Sequence, residues 1–481
     1  LLWVLTGLAF VVILSACFNY TNLSIARSLR RSREIGVRKV IGALRSHVIG
    51  QFVVEAIIIS LSALVAAFII FLLLRPHFKS IEPSLQELLT LNVSPLLVIC
   101  FIGFASFIGV AAGFFPALFF SRINAVQVLK SSSNSKVFKK LTLRKVLIVF
   151  QYSISLMLIT ATLIMYKQYK HYMNFDLGFT TENILNIQLQ GNKAEILLKE
   201  LNELPEVKGI SQSGMITSVG SYWGVPVKNP NNPEDSLSVA FNVVDENYIP
   251  LHDHHLVAGK NFTALSDSAV ESEVIVNEQV LKRFNLPKDP NLSIGEMLRV
   301  AGKDLRIVGV MKNFQYGRAN NETGKETIFR YSKEDTQYLN VKLLSNDLPA
   351  AYAKIEAIWK KLDTVHSFNA KFYDDEIEES FKGLSASMKL AGAIAFLAVC
   401  IASLGLLGMV VFTTETRLKE ISIRKVMGAT ESGLVYLLGR GFFMLLGMAA
   451  LIALPLTYFF FEQVMLPKIT NHAPLGLLEG V

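Results

Sequence analysis

Cysteine is scarce in this chain. Its three copies, Cys17, Cys100 and Cys400, all fall inside apolar runs, which excludes a disulfide framework. No G-x-x-x-x-G-K-[ST] phosphate loop occurs, since Gly324-Lys325-Glu326 lacks both the leading glycine spacing and the hydroxyl. A G-x-S-x-G elbow and an H-E-x-x-H helix are also missing. The residues therefore predict a non-catalytic chain with no cofactor of its own. Charge is thin as well, at 18% of residues against 51% hydrophobic. A soluble domain of this size rarely averages so apolar, and several windows exceed the ~18–20 apolar residues that cross a bilayer.

Acid is nearly absent from the short connections. Arg27 to Arg45 holds seven basic residues and one acid, and Arg122 to Lys145 holds seven basic residues and none. Lys167 to Lys382, by contrast, carries 24 basic and 30 acidic residues. Basic short loops and a mildly acidic large one follow the positive-inside pattern, so the net charge of +8 reads as topology, not as nucleic-acid affinity.

One short stretch occurs twice. Arg33-Glu34-Ile35-Gly36-Val37-Arg38-Lys39-Val40-Ile41-Gly42-Ala43 returns as Lys419-Glu420-Ile421-Ser422-Ile423-Arg424-Lys425-Val426-Met427-Gly428-Ala429, offset by 386 residues, with seven of 11 positions identical. Each copy stands between two apolar runs, so the repeated unit is span, basic elbow, span. Its mixture of apolar and charged positions fits a helix lying on the membrane surface, and Gly42 is a natural stop. A positive-inside anchor needs charge but no fixed residue order, so the repeat argues for more than anchoring.

Along the chain, spans are expected at about 1–25, 48–74 and 95–120, forming a first unit over 1–130. A Ser-rich cytoplasmic linker follows over 131–145, then a span over 146–166. The segment 167–387 contains no spanning window and mixes strand-like runs (183–189, 273–276, 305–310) with helix-like ones (193–204, 277–284, 349–362). It predicts an α+β domain on the far side of the membrane, with 229–235 as an Asn/Pro loop. The unit 388–481 carries spans at about 390–412 and 433–460. The repeat predicts a further span after it, and another span with a first external domain ahead of Leu1. The fold class is thus an integral membrane α-helical protein with a large α+β extracytoplasmic domain and a parallel internal repeat.

His252-Asp253-His254-His255 is the one metal-like cluster. It could offer two imidazoles and a carboxylate to zinc, but a solvated turn is the plainer reading, and no metal is predicted.

The repeated elbow resembles the signature of the FtsX-like/MacB-type ABC transporter permeases. Further blocks carry the resemblance over nearly the whole chain: Asp176-Leu177-Gly178-Phe179, Val257-Ala258-Gly259-Lys260-Asn261-Phe262, Val274-Ile275-Val276-Asn277-Glu278, Ile307 to Phe314, and Gly113 to Leu129. Lys260 stands where the family usually has arginine, and Ser422 where the first elbow has glycine. The resemblance implies that the elbows dock on an ATP-binding subunit, through Arg33, Glu34, Ile35, Arg38, Lys39 and Gly42 in the first copy. Lys419, Glu420, Ile421, Arg424, Lys425 and Gly428 take those places in the second. ATP and magnesium would be bound by that partner. The motion would reach the external domain by mechanotransmission, for export or extraction of a substrate. Membrane lipids, a second permease copy or pseudo-dimer, and a periplasmic adaptor are the further partners implied, with a multi-pass location in the bacterial inner membrane. The same fold also serves as a signalling scaffold that regulates a cell-envelope hydrolase. An external segment of this size fits substrate handling better.

Overall fold

Long apolar runs with few breakers fold as helices, because only a helix satisfies its own backbone in lipid. In a computed structural model, residues 2–30, 37–38, 41–81, 94–121, 142–229, 232–264, 271–321, 325–345 and 347–476 are described. The long helices are α1 (Leu2–Arg30), α2 (Arg45–Ile81), α3 (Pro95–Ser121) and α4 (Thr142–Met173). Five described helical stretches are long and apolar enough to cross a membrane: Arg45–Leu73, Pro95–Phe114, Lys145–Met173, Lys382–Val411 and Glu431–Lys468. Helix α1 contributes the shorter apolar stretch Ala9–Thr21. The chain divides into two units: residues 1–162 with 390–458, and residues 163–389 with 459–481.

In the first unit, small residues and hydroxyls set the helix contacts. A Cβ on Gly109 would stand 2.7 Å from the Ile57 Cα, and one on Gly113 would stand 2.8 Å from the Ala56 Cβ, so α2 and α3 meet backbone to backbone. Ser60 donates to the Ala105 carbonyl at 2.7 Å across the same seam.

The second unit begins with β1 (Ile184–Gln188), α5 (Ala194–Asn202), β2 (Val207–Ser213), β3 (Gly224–Asn229), β4 (Asn232–Val244), β5 (Leu256–Gly259), β6 (Glu273–Asn277) and α6 (Glu278–Arg283). Next come β7 (Met297–Val300), β8 (Lys303–Met311), β9 (Thr327–Tyr331), β10 (Tyr338–Leu343), α7 (Leu348–Leu362), β11 (Ala370–Phe372) and α8 (Tyr373–Ser380). The first unit resumes within α9 (Lys382–Thr416) and continues through α10 (Leu418–Val426) and α11 (Glu431–Phe460).

Strands β11, β1, β10 and β2 form an antiparallel sheet in that order. Leu185, Ile187, Leu339 and Val341 face α5 and α7, where Trp359 and Ile355 complete the core. The opposite face carries a polar row. Asn340 Nδ2 donates to Asn186 Oδ1 at 2.9 Å, and Asn186 Nδ2 donates to Glu376 of α8 at 3.2 Å.

The other strands close into a ring, β4–β3–β7–β8–β6–β9 and back to β4, with β5 added on β8. Among the described residues, only β4–β9 and β6–β8 pair in parallel. Alternation places Val239, Val274, Val276, Ile307 and Ile328 in one core, and Ala240, Ile275, Val308 and Phe329 in another. Strands β6 and β9 and the second half of β8 are therefore buried on both faces, whereas β3 and β7 alternate buried with exposed residues. The expected loop over 229–235 is strand wherever it is described: Asn229 ends β3. Asn232 to Asp235 belong to β4, and residues 230–231 lie outside the described residues. Cross-strand pairing, including Lys228 with Ser236, overrides the loop-forming character of the Asn/Pro run.

Residues 459–476 return to the second unit, where Ala473 N donates to Gln168 Oε1 at 2.8 Å. Asn471 Nδ2 donates to the carbonyls of Ala319 and Asn321 at 2.9 and 2.8 Å.

Candidate functional site

The elbows share more than residue order. The helices that follow the elbows, α2 from Arg45 and α11 from Glu431, start 386 residues apart, the same offset as the motif. Both elbows also close on the same cap. Ala43 N donates to the Arg38 carbonyl at 3.0 Å, and Ala429 N donates to the Arg424 carbonyl at 3.0 Å. Between them, Gly42 has φ +101° and Gly428 φ +90°, the left-handed turn that ends a helix in a Schellman motif.

In the second elbow, α10 is exposed along nearly its whole length, with only Ile421 half-buried. Glu420 and Arg424, one turn apart, pair at 3.0 Å, and Lys425 reaches Glu431 at 3.4 Å. Lys419 is exposed beside them. The apolar members are exposed too, with Val426 at 88% and Met427 at 81%. In the first elbow, Arg38 Nη1 donates to Gln51 at 3.2 Å, and Ile41 is 80% exposed. Arg33, Glu34, Ile35 and Lys39 lie outside the described residues. Each elbow thus ends in an unburied apolar residue beside its capping glycine, three residues after an arginine.

The histidine cluster is not a solvated turn. Asp253 takes φ +54°, and this reversal sends His252 and His254 inward while Asp253 and His255 stay exposed. His252 Nδ1 donates to the Thr180 carbonyl at 3.1 Å. Tyr248 lies 4.4 Å from the His252 ring, Phe179 stacks on His254 at 4.9 Å, and Phe314 meets His254 edge-on at 4.8 Å. Burial pushes His252 down to about 4 and His254 well below its usual value, so both are neutral core residues. Among the described residues, no group of three His, Cys, Asp or Glu side chains could hold a metal ion.

Two carboxyls line clefts of the second unit, and composition gives no sign of either. Asp245 faces a cleft of about 530 Å³, and burial raises it to about 7 against the backbone donors of Gln212 and Asn247. Glu376 faces a second cleft and is likewise raised by burial to about 7, with Asn186 opposing the shift.

Five apolar helices, a repeated surface elbow and a large sheet-rich unit define a polytopic membrane protein with an α+β extracytoplasmic domain. Residues 6–125 match the family model of the FtsX-like permease C-terminal domain, and residues 146–358 match that of the MacB-like periplasmic core domain. The two matches together span well over half of the sequence, and the chain belongs to the FtsX-like/MacB-type permeases.

Among curated proteins, the macrolide export ATP-binding/permease protein MacB of Bradyrhizobium diazoefficiens is 23% identical over 206 residues, 41% of this chain and 31% of that protein. The protein of the same name from Vibrio parahaemolyticus is 25% identical over 200 residues, 40% of this chain and 30% of that protein. The chain thus spans about a third of the length of the curated relatives it matches. The periplasmic region of MacB from Actinobacillus actinomycetemcomitans aligns with a TM-score of 0.32 at 12% identity, covering 44% of this chain and 97% of that one.

Proposed function

We propose that this chain is the permease subunit of a bacterial ABC transporter of the inner membrane. A separate ATP-binding subunit, which holds ATP and magnesium, pulls on the two elbows. The long helices carry that motion to the extracytoplasmic domain, which exports or extracts its substrate without a polar path through the bilayer. A permease dimer or pseudo-dimer and a periplasmic adaptor complete the machine. The observation that carries this reading is the paired elbow. The same glycine cap ends both copies, and each holds an arginine and an unburied apolar residue next to that cap. An anchor needs none of that order, whereas a docking helix needs apolar residues for a groove and charges at fixed positions. Arg38 and Arg424 suit bidentate pairing with carboxylates, which lysine does not reproduce.

The test is co-purification of the ATP-binding subunit and its ATPase activity in proteoliposomes. Arg38→Glu is expected to leave membrane insertion intact while stimulated ATPase activity falls about tenfold or more, the loss typical of a charge-assisted contact. Arg424→Glu is expected to act in the same direction, more mildly, because Glu420 and Glu431 already surround that elbow. If an elbow of shuffled order and equal charge works as well as the original, the docking role is wrong.

A further inference from the structure

The second cleft, about 410 Å³, lies within the extracytoplasmic unit between the chain after β2, Arg318 and helix α8. Its apolar surface comes chiefly from the half-buried Trp223 and Tyr338, with Met215 and Ile216 buried beneath them. Arg318 forms one wall, with its side chain exposed and without a carboxylate partner among the described residues. Its guanidinium lies against the Gly220 backbone, where a Cβ would overlap Nε and stand 2.8 Å from Nη2. Gly220 has φ +106°, so the residue that makes room for the guanidinium is also the one that tolerates this turn.

The opposite wall carries acids, but they present little charge. Glu379 is paired with Lys371 and, at 2.8 Å, with Lys382. Glu376 accepts from Asn186, itself part of the buried asparagine row, and burial keeps its carboxyl largely protonated below neutral pH. Arg318 is therefore the one charge in the cleft left without a counter-ion among the described residues. The lining is mixed, with Ser221, Gln337 and Ser380 beside the aromatic rings, and a few placed polar groups around one unpaired charge can fix the orientation of a small molecule.

We propose that this cleft binds a small amphipathic carboxylate, with the anionic head on Arg318 and the apolar body over Trp223 and Met215. A planar guanidinium matches a carboxylate in two parallel hydrogen bonds, and the fixed backbone behind it limits the entropy lost on binding. A cationic amphiphile is disfavoured, because Glu376 is turned to Asn186 and Glu379 is already neutralised. The site stands on these residues alone and does not rest on the coupling role of the elbows.

The experiment uses the full chain in lipid nanodiscs and titration calorimetry with N-acetyl-Leu-Phe, as the free carboxylate and as its C-terminal amide. The acid is expected to bind about tenfold or more tightly than the amide, the usual worth of a charge-assisted pair. Arg318→Gln should abolish that preference. Gly220→Ala keeps the charge but displaces it, and should reduce the preference as well, which decides the matter if Arg318→Gln fails to fold. Trp223→Ala should weaken acid and amide by the same factor. No binding in the unmodified chain, equal binding of acid and amide, or an unchanged preference in Arg318→Gln or in Gly220→Ala would each overturn the assignment.

Discussion

His252 shows how far a side chain's role depends on what surrounds it. Its neighbours Phe179, Tyr248 and Tyr373 come from three separate stretches of the chain, so a polar run that reads as a solvated turn was folded into a core. The cost of that burial depends on pH. His252 has its folded value lowered from 6.5 to about 4, so the unfolded chain binds the proton first as pH falls. Stability from this residue is complete above about 6.5 and is lost as pH drops toward 4, by about 3 kcal/mol in all. Asp245 and Glu376 act with the opposite sign. Their folded values are raised to about 7, so the folded state holds protons that the unfolded state releases, and stability is lost as pH rises from about 4 to 7. Thermal melting of the full chain in detergent, followed between pH 5 and 8, separates the two. His252→Phe is expected to flatten the acid limb and Asp245→Asn the neutral limb. Parallel curves for variants and parent would refute the assignment.

At the scale of elements, the legible parts were those with a local signal. The runs that formed β1, β6, β8, α5, α6 and α7 carry their hydrophobic period within a few residues of sequence. The β3–β4 pair did not, because its Asn/Pro run reads as loop and its strands are held by partners elsewhere. The closure of the ring through β4–β9 was equally hidden, since a parallel pair between distant strands leaves no local mark. The elbows stand in between. Their residue order was visible, but their shared cap required backbone angles. That cap makes a prediction. Nothing lies within 4 Å of a Cβ built on Gly428, so Gly428→Ala meets no clash and suffers only the left-handed φ, about 1 kcal/mol. Gly109→Leu, by contrast, must push α2 from α3 against the Ile57 backbone, at about 1–3 kcal/mol. Melting of the purified chain should therefore drop clearly for Gly109→Leu and little for Gly428→Ala. Equal losses would refute the close α2–α3 contact.

For the whole molecule, the decisive quantity is the side of the membrane on which each part lies. The large unit carries a deficit of positive charge, 24 basic against 30 acidic residues over Lys167 to Lys382, while the first elbow region carries seven basic residues and one acid. Moving basic loops outward is disfavoured, so we propose that the elbows face the cytoplasm. Two exposed serines report on this without touching a core: Ser432 beside the second elbow and Ser236 in β4. With Cys17, Cys100 and Cys400 replaced by alanine, Ser236→Cys in intact spheroplasts should react with a membrane-impermeant maleimide. Ser432→Cys should react only after the membrane is opened. The helices connecting the two positions must cross the bilayer an odd number of times for that result, and among the described residues only α9 lies between Ser236 and the elbow as a spanning helix. Labelling of both cysteines from the same side would mean that α9 does not span, and mechanical coupling between elbow and extracytoplasmic domain would lose its physical path.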